Sequence, residues 1–141
     1  MPSNDEPQSL RADIVRRWKE ELFSADTVVA AVAVVVALPA GVAAAVAVDP
    51  AAIYPVLFAT AAGPSLGYWR GIRIEVPMGT AAKVGGAMAL ATAVVTTAAV
   101  ALTVALDGGE SAAVVAGGLV GLLFSGLASR YAFHRLAGET A

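Results

Sequence analysis

Four stretches without one charged side chain, each about as long as a bilayer crossing, constrain this chain more than any other feature. They run from Thr27 to Val48, Pro50 to Trp69, Val84 to Leu106 and Ser111 to Ser129. A hydrocarbon core of about 30 Å takes roughly 20 residues of helix, and only helices or closed barrels satisfy their backbone groups there. The runs are continuous rather than alternating, which selects helices. Four buried helices of a soluble domain would need polar segments to cover them. With 58% hydrophobic and 14% charged residues and a mean hydropathy of +0.75, this chain has none. The expected fold is all-α integral membrane: four transmembrane helices in two tight hairpins, preceded by a short amphipathic cytoplasmic helix. The lipid bilayer is the first expected partner.

Orientation follows from the short connections. Arg11, Arg16, Arg17 and Lys19 precede the first span, Arg70, Arg73 and Lys83 separate the second and third, and Arg130 and Arg135 follow the fourth. All 9 Lys and Arg thus fall on one side, while Asp49, Asp107 and Glu110 occupy the other. Basic loops stay cytoplasmic, so both termini are expected inside a multi-pass protein of the cell membrane. The stretch Ile53 to Arg70 agrees, because Tyr68-Trp69-Arg70 is the aromatic-then-basic pattern of a helix leaving the hydrocarbon on the inner side. The first apolar run starts too far in and is too long for a secretory h-region, so it is expected to remain as span one.

The expected organisation is an N-terminal arm over 1–24, a membrane bundle over 25–133 with an inner loop at 70–83, and a cytoplasmic tail over 134–141. In the arm, Leu10, Ile14, Trp18 and Leu22 recur every four residues, with Asp13/Arg17, Arg16/Glu20 and Arg17/Glu21 one turn apart. That pattern predicts an amphipathic helix on the inner leaflet. Ser24 or Asp26 would cap span one, and Asp49-Pro50 would cap and restart the chain for span two. In the inner loop, Ile72, Ile74 and Val76 alternate with charges like a short strand, and Thr80 would cap span three.

Inside the spans the informative residues are small, bent or hydroxylated. Gly63, Gly67 and Gly71 continue Ala59 at intervals of four. Gly85 begins a comparable face on span three, and Gly117, Gly121, Ser125 and Ala128 form another on span four. Such stripes let helices approach closely. Pro39 and Pro64 remove a backbone donor each and predict kinks, the second satisfied by the Thr60 or Ser65 hydroxyl or left as loosened backbone for a solute. Thr92, Thr96 and Thr103 share a face with Gly85 that is either a packing surface or a hydroxyl-lined path. The matching order of the two hairpins suggests a parallel duplication about an axis along the membrane normal.

Several chemistries lack their residues. The spans hold no charged side chain, histidine or cysteine, so proton-coupled export through a buried carboxylate and intramembrane proteolysis are not expected. His134 sits at an expected interface. No catalytic, metal-ligating or cofactor-binding set is expected, no cofactor, and no nucleic-acid partner for a chain of net charge −2. The sequence therefore points to a small non-enzymatic structural or accessory membrane subunit that associates with itself or with another membrane protein. The alternative is a channel or carrier for a neutral or weakly charged solute.

Overall fold

A computed structural model describes residues 6–22, 24–69 and 76–140. Among them every regular element is helical: α1 Glu6–Leu22, α2 Ala25–Ala47, a 3-10 turn Pro50–Ala52 running into α3 Ile53–Trp69, α4 Met78–Ala105 and α5 Glu110–Thr140. Three of these, α2, α4 and α5 as far as Leu136, are long and apolar enough to cross a membrane. The helix α3 is shorter, at 17 residues, as is the polar α1.

The local chemistry explains the boundaries. Of the two candidate caps for α2, Ser24 fills the role: its hydroxyl accepts from the Thr27 amide at 3.4 Å. Asp49 caps the 3-10 turn by accepting from the Ala51 amide at 2.9 Å, with Pro50 in the first position where no donor is needed. Thr80 does not cap α4. The helix starts earlier, at Met78 after Pro77, whose carbonyl accepts from the Ala81 amide at 2.9 Å, so the inner connection is shorter than 70–83. At its far end α4 stops in a Schellman arrangement. Gly108 N–H donates to the Thr103 carbonyl at 2.9 Å, Asp107 N–H donates to Val104 at 3.1 Å, and Asp107 takes φ 57°. The helix α5 continues through the expected tail, carrying His134 on its last turns. The strand-like Ile72–Glu75 lies outside the described residues.

Helices α2 to α5 form the packed unit, and α1 barely touches it. On α1 the polar pairing centres on Arg16, which reaches Asp13 at 3.3 Å and Glu20 at 3.9 Å, so Asp13 meets Arg16 rather than the expected Arg17. Its apolar Leu10, Ile14 and Trp18 are exposed. In the packed unit α2 lies against α3 and α4, α5 lies against α3 and α4, and α3 also meets α4 across the centre, whereas α2 and α5 have no comparable contact. The first helices of the pairs α2–α3 and α4–α5 are therefore neighbours, and so are the second. A twofold axis would make α3–α4 and α5–α2 equivalent, and they are not; α4–α5 lies beside α2–α3 by a shift, not a rotation.

The unit has two ends. At one, the starts of α2 and α4 meet the ends of α3 and α5: Val29, Ala81 and Phe133 are buried there with Ala25, Tyr68 and Leu136 packed against them. The Tyr68 and Phe133 rings meet edge to face, 4.8 Å apart at 80°. At the other, which carries the Asp49 and Asp107 turns, Ala44, Ala52, Val56, Val100 and Ala113 are buried together. Between them the interior is glycine, alanine and hydroxyl, while Val35, Leu38, Val94, Leu119, Leu123 and Leu127 point outward. Large apolar groups outside and small polar ones inside is the reverse of a water-soluble core, and it suits a lipid solvent.

Candidate functional site

The candidate site is the seam where α3, α4 and α5 meet. Along α3, residues Pro55, Ala59, Gly63 and Gly67 face Gly117, Gly121, Ser125 and Ser129 of α5 in turn. Each pair has the same sequence offset, so two helices running in the same direction interlock at every turn. The approach is close. A Cβ built on Gly63 would collide with the Ser125 side chain, and one on Gly67 would meet Ser129 and lie 3.0 Å from the Gly126 carbonyl oxygen. A Cβ on Gly121 would collide with the Thr96 hydroxyl and come within 2.8 Å of the Ala59 Cβ. One on Gly117 would lie 2.6 Å from a Val100 methyl. Antiparallel α4 thus matches Val100 with Gly117 and Thr96 with Gly121, and the same register brings Thr92 to the level of Ser125.

Of the expected packing glycines, Gly85 lies on a different contact: it meets Val29 of α2, at 3.4 Å from its built Cβ. Gly71 falls outside the described residues. Of the two prolines, Pro64 is fully buried within α3, whereas Pro39 lies within α2 on an exposed face.

The threonines divide by environment. Thr92 and Thr96 are completely buried, and Thr103 is half-buried because the inward face of α4 continues through Val100 instead. Thr92 donates to the Met88 carbonyl at 2.7 Å and Thr103 to the Ala99 carbonyl at 2.8 Å, the back-bonding usual for hydroxyls in apolar helices. Thr96 makes no hydrogen bond, and neither do the buried hydroxyls of Thr60, Ser65, Ser125 and Ser129. Neither hydroxyl beside Pro64 therefore takes up a backbone partner. Instead the Thr96 and Ser125 oxygens occupy the space that a Cβ would take on Gly121 and Gly63.

No family model, curated protein or solved structure matches the chain.

What the seam can do follows from its own geometry. Among the described residues no group of three His, Cys, Asp or Glu could hold a metal ion. The buried oxygens are hydroxyls, uncharged at any ordinary pH, and the glycines bring backbones together around them. Ser129 was hidden in the sequence because it borders the first basic residue; intervals of four from Gly121 lead to it, whereas the expected Ala128 is only half-buried. Pro55, the partner of Gly117, gave no small-residue signal.

Proposed function

We propose that this chain is a four-span protein of the cell membrane with both termini cytoplasmic, acting as a non-enzymatic structural or accessory subunit. The fourth crossing is α3. Helices α2 and α4 start at the same end, where Val29 meets Gly85, so the chain must return between them. With the 3-10 turn before it, α3 covers Pro50–Trp69 and reaches about 30 Å at 1.5 Å per residue. It also interlocks with α5 from Pro55 to Gly67.

The observation that carries the functional reading is the seam itself. Its distinctive residues, Gly63, Gly67, Gly117, Gly121, Thr96 and Ser125, are spent on mutual contact, and Thr96, at the centre of the face that could line a path, is closed against Gly121 beside Ala59. That is how a stable membrane scaffold is built. Purification from native membranes in gentle detergent, with particle mass and co-purifying chains measured together, tests it. A stoichiometric second membrane protein supports the reading; a defined homo-oligomer alone favours the channel or carrier instead, and a monodisperse single chain would overturn the accessory role. The unpaired hydroxyls of Thr60, Thr96 and Ser125 favour a second reading, a channel or carrier for a neutral solute. Solute flux into vesicles that disappears when Thr92 and Thr96 are both replaced by valine would establish it.

A further inference from the structure

Two grooves flank α3 and share Leu66 as their dividing ridge. The groove between α2 and α3, about 710 Å³, is floored by Ala30, Ala61 and Ala62, walled by Phe58 and Leu66, and ends at Asp26. Ser65 contributes a buried hydroxyl with no partner to it. The groove between α3 and α5, about 380 Å³, is lined by Leu122 and Gly126 and ends at Arg130. Both grooves lie in the half of the unit near the Tyr68–Phe133 end. Above them α2 and α3 close together, since a Cβ on Gly41 would lie 2.8 Å from Leu57.

Length decides the occupant. From Phe58 to Leu66 the helix rises about 12 Å, close to one leaflet's share of a 30 Å core. A spanning helix from a partner needs a groove of full height. An acyl chain of one leaflet needs only this. Two half-height grooves side by side take the two chains of one phospholipid astride Leu66. Their ends then select its headgroup, because a guanidinium pairs with phosphate in a forked hydrogen-bond geometry and a carboxylate accepts from an ammonium. Among the described residues neither Asp26 nor Arg130 has an ion-pair partner. The helices that carry them stand on either side of α3, each about 8 to 10 Å from it by axis and so less than about 20 Å apart. The long arginine stem, a phosphoethanolamine group and the aspartate together bridge that distance.

We infer that the surface of α3 is a binding site for one inner-leaflet phospholipid with an amine-bearing zwitterionic headgroup, its phosphate on Arg130 and its ammonium on Asp26. The inference rests on the orientation proposed above, which puts both residues at the cytoplasmic headgroup level. The test is native mass spectrometry of the full chain, delipidated and then titrated with phosphatidylethanolamine or phosphatidylglycerol of identical chains. The wild type should retain phosphatidylethanolamine about fivefold better. Asp26→Asn should bring the two lipids level. Arg130→Gln should weaken retention of both, and Ala62→Leu should reduce adducts by filling the first groove. Ala30→Leu, from the opposite wall, serves if Ala62→Leu fails to fold, as judged by circular dichroism. Equal retention of both lipids by the wild type, or an unchanged preference in Asp26→Asn, would overturn the site. If cysteines at the Asp49 and Asp107 turns still label from outside, that failure leaves the four-span orientation standing.

Discussion

At the scale of single residues, this interior uses atoms that are absent as much as atoms that are present. Gly63 and Gly121 have no room for a Cβ, because Ser125 and Thr96 occupy the space. Leucine at either position must push α3 and α5 apart, at a cost of about 1 to 3 kcal/mol or more. Gly63→Leu and Gly121→Leu are each expected to lower the melting temperature in detergent and to reduce assembly; normal melting in both would contradict the seam. Thr96 behaves oppositely. Its buried hydroxyl has no partner, so Thr96→Val removes an uncompensated polar group at nearly constant volume. It is expected to be neutral or stabilising by roughly 1 kcal/mol. Thr92→Val gives up one back-bond to Met88, worth about 0.6 kcal/mol in lipid-buried helices. The double variant should therefore keep its thermal stability within about 1 kcal/mol of wild type, and a clear loss would point to hydration of the hydroxyls.

Among the helices, the parallel pairing of α3 with α5 is the relation that organises the rest. It explains why Tyr68 and Phe133 meet at one end and why Pro55 and Gly117 meet near the other. With no native cysteine in the chain, Tyr68→Cys with Phe133→Cys is expected to be bridged in membranes by a short bis-methanethiosulfonate, read as a mobility shift reversed by reductant. Tyr54→Cys with Phe133→Cys, from opposite ends, is expected to stay unbridged. Much of this level was legible beforehand. Charge spacing marked the helical stretches, Asp49-Pro50 marked a turn, and glycines at intervals of four marked α3 and α5 as close-packing. What could not be read was which stripe meets which. Every span carries small residues, so their spacing makes several pairings equally good. Only the three-dimensional arrangement distinguishes a hairpin rotated about an axis from one stacked alongside. The face of α4 is buried as expected through Gly85, Thr92 and Thr96, and only its last turn differs: Thr103 lies at helical spacing from Thr96, but so does Val100, and burial favours the side chain that meets Gly117.

At the scale of the whole molecule, the separation of 9 basic residues from the two acidic turns is the strongest asymmetry, and it makes topology directly testable. In sealed cells, Asp49→Cys and Asp107→Cys are expected to react with a membrane-impermeant maleimide, and Arg73→Cys only after permeabilisation. Labelling of Arg73→Cys in intact cells would reverse the proposed orientation. The stacked arrangement also governs how the molecule comes into being. During synthesis α2 and α3 are complete before α5 exists, so Gly63 and Gly67 lack their α5 partners until residues beyond Gly117 emerge. A chain halted after Asp107 would hold α2, α3 and α4 yet leave the Gly63 and Gly67 strip of α3 without the serines that cover it.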